Sequence, residues 1–195
     1  MRKNTAGFTL IELLIVVAII AILASIAVPN FLEAQTRAKV ARVRSDLRTL
    51  ATGIEAYTVD SNRPPYDGVP GSAHWGWVNS QALMTTPIAY LSVVMRDVFQ
   101  DGTMGEATLA GHTNFLAPGT HSFDYSTAVW QQVPTDPIFA IRWNRTIGNS
   151  QWKISSPGPD LRFVNAGSYF GLEQLYDPTN GTISLGDILR SQSRN

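Results

Sequence analysis

From Phe8 to Val28 the sequence runs for 21 residues with a single charged side chain, Glu12. As a helix rising 1.5 Å per residue this stretch is about 31 Å long, enough to cross the ~30 Å hydrocarbon core of a bilayer. A secretory signal instead carries an apolar run of roughly 7–15 residues followed by a small-residue cleavage site. Here the run is longer, and the small residue, Gly7, precedes it behind a short leader containing Arg2 and Lys3. The apolar segment is therefore expected to stay in the mature protein. A helix apolar on every side must be surrounded by lipid or by other apolar helices.

Glu12 is the anomaly in that helix. A carboxylate inside a spanning segment costs on the order of 2.5–3.5 kcal/mol on insertion scales. Two readings follow. Glu12 lies at headgroup level near the start of the span, or it meets a cation. Cutting after Gly7 would give Phe8 a free α-amine. A neighbouring copy shifted along the helix axis would then pair that amine with Glu12 in a medium of low dielectric. Such a pair sets the register between subunits, because one axial stagger satisfies both charges.

The order Gly7-Phe8-Thr9-Leu10-Ile11-Glu12, then Leu13 to Ile20 without a polar residue, then Pro29, resembles the N-terminus of type IV pilins and type II secretion pseudopilins. The resemblance implies cleavage after Gly7 by a prepilin peptidase and methylation of the new N-terminus at Phe8. It also implies the intersubunit role for Glu12. As partners it implies copies of the chain itself, sister pseudopilins and an inner-membrane assembly platform.

Orientation divides the two lines of argument. Arg2 and Lys3 precede the span, whereas Arg37, Lys39, Arg42, Arg44 and Arg48 follow it. Basic residues favour the cytoplasmic side, so their count alone would keep the C-terminal part inside. The resemblance implies a cytoplasmic leader and a head outside, in the periplasm, because the processing enzyme acts on the cytoplasmic face. That second orientation is the one expected.

Beyond the span, Val40, Val43, Leu47, Leu50, Ile54 and Tyr57 alternate three- and four-residue steps. This spacing predicts one apolar seam on a helix running to about residue 58, kinked at Pro29. Residues 47–57 are expected to pack on the chain's own domain, and 30–45 against neighbouring subunits. Asp60 to Pro65 ends the helix, since proline and the residue before it disfavour helical backbone. The Tyr57-to-Asp60 stretch before that proline again resembles pseudopilins.

Strands are expected at Phe139–Trp143 and Gln151–Ser155, with a shorter element of either kind at Ile88–Val94. Asn180-Gly181 predicts a hairpin turn between 174–176 and 182–185. The fold class expected is α+β, pilin-like. It would have a leader at 1–7, a transmembrane and filament-core helix at 8–29, an amphipathic helix at 30–60 and a head at 61–195. The head would divide into a variable middle region, 61–150, and a C-terminal antiparallel sheet, 151–195.

The absence of cysteine excludes disulfides and thiolate metal sites. Loss of Arg2 and Lys3 would leave 13 basic against 15 acidic side chains, which gives no electrostatic case for nucleic acid. His74, His112 and His121 lie far apart, with no metalloprotease spacing, and neither a nucleophile elbow nor a phosphate loop is present. No enzyme is expected. Trp75, Trp77, Trp130, Trp143 and Trp152 are expected in the core or in subunit contacts.

One metal expectation comes from the resemblance. Ser155 to Asp160 and Gly186-Asp187-Ile188 are similar to the calcium loop of major pseudopilins. Asp160 and Asp187 match it, and Ser156 matches with a spacing shifted by Pro157. Where that family has a glycine-rich link, this chain has 161–185. The function expected is a structural subunit of a type II secretion pseudopilus, with a type IV pilin as runner-up. A signal-anchored monomeric binding or enzymatic domain is a remote third.

Overall fold

A computed structural model describes residues 8–66, 83–100, 123–128, 137–161, 175–179, 184 and 186–193. Helix α1 spans Leu10–Ser61, 52 residues, or about 78 Å at 1.5 Å per residue. It runs without interruption through Pro29 and stops at Asn62, whose backbone is left-handed (φ 56°). That end lies within three residues of the sequence expectation. Tyr90 fastens the last turn from outside, its hydroxyl donating to Asp60 Oδ2 at 2.7 Å.

The two halves of α1 live in different surroundings. Phe8 to Leu32 expose their apolar side chains along the whole length, and none of the most apolar window is covered by the rest of the chain. Val40, Val43, Leu47, Leu50 and Ile54 are buried in the core, with Tyr57 half-buried against it. The seam read from spacing is therefore real. It also begins earlier than expected, because Val40 and Val43 pack on the chain's own head rather than waiting for a neighbour.

Among the described residues, three antiparallel strands form a sheet in the order β1-β2-β3, with β1 at Asp124–Thr127, β2 at Trp152–Ser156 and β3 at Ile188–Ser191. Tyr125 stands opposite Ile154, and Ile154 opposite Arg190. Tyr125, Trp152, Ile154 and Ile188 thus share one face, and that face packs on α1. Trp152 also donates its indole N–H to Glu55 Oε1 at 2.9 Å, pinning β2 to the helix. The architecture is α+β as expected. However, the sheet recruits β1 from the middle region, so it is not confined to 151–195.

The opposite face is polar. Asp124, Ser126, Lys153, Ser155 and Ser191 are all buried there. Helix α2, Pro137–Ile147, lies against it through Trp143 and Ile147 packed on Leu189. This corrects the strand expected at Phe139–Trp143. Alternation over five residues suits either period. Here proline sits at the first helical position, and Trp143 and Ile147 are one turn apart on the buried side. Gly148, at φ +60°, then closes the helix with its N–H on Asn144 O at 3.0 Å.

One further expectation changes: Ile88–Val94 forms bends rather than a helix or strand. Leu175 makes an isolated parallel bridge with Asp187, and the expected hairpin partner 182–185 lies outside the described residues except for Ser184. The Asn180-Gly181 turn itself lies outside the described residues, as do His74, His112, His121, Trp75, Trp77 and Trp130. Trp143 and Trp152 are core residues, each 1 % exposed.

The bridge explains Gly186. A Cβ there would sit 2.2 Å from the Leu175 carbonyl carbon, so only glycine lets the two backbones pass. Gly186→Ala is expected to lower head stability by roughly 1–3 kcal/mol, the range of overpacked sites. Urea unfolding followed by tryptophan fluorescence would show it, and an unchanged midpoint would mean that the bridge yields freely.

Candidate functional site

The start of α1 carries the first group of candidate residues. Thr9 is the N-cap, and its side chain and backbone are joined to Glu12 in a reciprocal capping box. The Thr9 backbone N–H and hydroxyl donate to Glu12 Oε2 at 2.9 and 2.6 Å, while the Glu12 N–H donates to Thr9 Oγ1 at 3.3 Å. The pattern Thr-x-x-Glu is a legible helix start that the sequence reading did not use. Its effect is directional. Both bonds fall on one carboxylate oxygen, so the head of Glu12 turns back toward Phe8 and keeps Oε1 open. Gly7 lies outside the described residues.

The second group meets at one end of the sheet. After β2, Gly158–Asp160 forms a 3-10 turn. A Cβ on Gly158 would lie 3.3 Å from Gly186 O, so this turn is stacked on the segment that contains Asp187. Ser156 stands opposite Ile188 in the sheet, and Asp160 ends the turn that is stacked on the Gly186-Asp187 segment. Calcium, however, takes six to eight oxygen ligands. Among the described residues no three acidic or histidine side chains converge. The Ser156 hydroxyl already receives the Gly158 N–H at 3.3 Å and donates to Asp97. Asp187 is fully buried, and the pocket it helps to line also carries Arg44, Arg48 and Arg190. Three guanidiniums beside one carboxylate repel a divalent cation. The described donor set does not fit calcium.

Asp97 is a carboxylate that sequence reasoning missed. It is 2 % exposed, and burial pushes its pKa up to about 6 against the pull of hydrogen bonds from Ser156 and the Phe99 N–H. An acid with a folded pKa above its unfolded value of 3.8 binds its proton more tightly when folded. Its contribution to stability is therefore fully present below that unfolded value. It is lost as pH rises toward about 6, and stays lost above. Asp97→Asn is expected to remove this loss and to raise stability at pH 7 by up to roughly 3 kcal/mol. The check is a pair of unfolding curves at pH 4 and 7; equal variant effects at both values would contradict it.

A family model described as the prokaryotic N-terminal methylation motif matches residues 2–28. Type IV major pilin protein PilA of Myxococcus xanthus is 49 % identical over 62 residues, 32 % of this chain and 28 % of its own. Type IV wide pilus major component PilA4 of Thermus thermophilus is 50 % identical over 60 residues, 31 % of this chain and 46 % of its own. Type II secretion system core protein G of Klebsiella michiganensis is 38 % identical over 64 residues, 33 % of this chain and 45 % of its own. The chain spans less than half the length of each of these curated relatives. Their names are those of pilus and secretion-system proteins, not of enzymes. No solved structure matches the chain.

Proposed function

We propose, from a chain that carries the N-terminal methylation motif and is similar to type IV pilins and type II secretion core protein G over about a third of its length, that it is a structural subunit of a helical filament. The observation that carries this reading is the division of α1. Its first half is apolar on every side and exposed, whereas its second half is built into the head. A bare helix of this kind is stored in the membrane and then bundled with its copies. Each head-to-tail contact leaves a free surface for the next subunit, so the assembly extends instead of closing.

In this reading a prepilin peptidase cuts after Gly7 and methylates Phe8. The leader faces the cytoplasm, the head lies outside, and an inner-membrane platform drives assembly with sister subunits. The amine of one Phe8 meets the open Oε1 of a neighbour's Glu12. Of the two filament types we take the type II secretion pseudopilus first. The chain has no cysteine to clamp its C-terminal region with a disulfide, and its Gly158–Asp160 turn is stacked on the Gly186-Asp187 segment. A type IV pilin is the second reading, favoured by the higher identity to the pilins over a similar length.

The test is mass spectrometry of the full chain made in a host with an active prepilin peptidase. The expected product starts at Phe8 and bears one methyl group. An N-terminus remaining at Met1 would remove the basis for the reading. Loss of secretion, rather than of surface pili, on deletion of the gene would separate pseudopilus from pilus.

A further inference from the structure

We infer that the pocket between α1 and β3 is a binding site for an oxyanion, a phosphate or carboxylate group held by Arg44, Arg48 and Arg190. The pocket has a volume of about 320 Å³, at the lower end of the range for small-molecule sites. Arg44 and Arg48 stand one turn apart on the exposed side of α1, and Arg190 projects from β3 on the face that packs on α1. Tyr176 forms another wall, its ring 5.5 Å from the Arg44 guanidinium carbon. That contact fixes where the Arg44 charge sits.

Three features point to an anion. None of the three arginines has an ion-pair partner among the described residues, although Arg37 and Arg42 on the same helix are paired with Glu33 and Asp46. The Arg190 Nε–H is buried with no acceptor, a state that costs free energy until an acceptor arrives. Finally, the lining holds three guanidiniums against the single carboxylate of Asp187. Guanidinium forks suit oxygen anions because they donate two parallel hydrogen bonds in one plane. The ligand oxygen has two sources: a free small anion, or an acidic side chain of an adjacent subunit. The second source rests on the filament reading and the first does not.

The test uses the full chain in detergent micelles. Thermal unfolding is measured in phosphate, in citrate and in calcium chloride, each against sodium chloride at equal ionic strength. Phosphate or citrate is expected to raise the midpoint by about 3–6 °C at saturation. Arg44→Gln with Arg48→Gln is expected to abolish that rise; both sites lie on the exposed side of α1, so the core is untouched. Assembled filaments then separate the sources. Filaments loosened by phosphate point to a neighbour's carboxylate, and filaments indifferent to it point to a free anion. If neither phosphate nor citrate exceeds sodium chloride, the inference is overturned. It is equally overturned if the rise survives the double substitution, or if calcium chloride alone stabilises the chain.

Discussion

Lys153→Met is expected to lower the stability of the head by about 3–5 kcal/mol, the cost of stranding one member of a buried ion pair. Lys153 and Asp124 are both fully buried, on the face of the sheet turned away from α1. The Lys153 ammonium donates to Asp124 Oδ2. The same oxygen accepts from Ser155 Oγ at 2.9 Å, and Oδ1 accepts from Ser126 Oγ at 3.4 Å. Without the ammonium, a carboxylate held only by two hydroxyls must stay charged in a dry environment or take up a proton. Lys153→Met with Asp124→Leu should recover most of the loss, because two apolar side chains then replace two desolvated charges. Urea titration of the full chain in micelles, followed by tryptophan fluorescence, gives both values. A single-variant loss below about 1 kcal/mol would show a hydrated pair of the surface kind.

The second large effect concerns assembly. Glu12→Ala is expected to yield processed, membrane-inserted protein with a native head and no filaments. Alanine alone, however, cannot tell register from helix capping, since it also removes the capping box with Thr9. Glu12→Gln can. A glutamine keeps the capping-box geometry and discards the charge, so it too should fail to assemble if pairing with the Phe8 amine is the function. Filaments at normal yield from the glutamine variant would assign Glu12 to the helix start alone.

The contrast between these two sites shows what the sequence makes readable. The spanning segment and the seam from Val40 to Ile54 repeat over many turns, so periodicity outweighs the noise of any one residue. The strand over Trp152–Ser156 was readable for the same reason on a smaller scale. Phe139–Trp143 is ambiguous because five residues cannot separate a period of two from one of 3.6 when both place Trp143 inside. The pairing of Lys153 with Asp124 spans 29 positions, and the arginine pocket joins Arg44 to Arg190. No local pattern marks either, because the first exists only once β1 has paired with β2 and the second only once β3 has packed on α1. Asp97 is similar: nothing nearby in the chain announces that an aspartate after Arg96 is buried. The capping box is legible as Thr9-x-x-Glu12, although the same glutamate also stands out as the lone charge of an apolar run.

The position of β3 sets an order of events in synthesis. The seam on α1 leaves the ribosome early, yet the strand that packs on it, together with β2, is Ile188–Ser191. More than a hundred residues therefore follow the seam before its last cover arrives. During that interval the seam is covered only in part, by Met84, Leu91, Phe99 and the residues of β1 and β2 as they are made. Contacts so distant along the chain form slowly, and an uncovered apolar face is a target for holding factors and for aggregation. On the filament reading, anchoring of α1 thus precedes closure of the head by the time needed to make the residues up to β3, and a bilayer would keep nascent chains apart in the meantime.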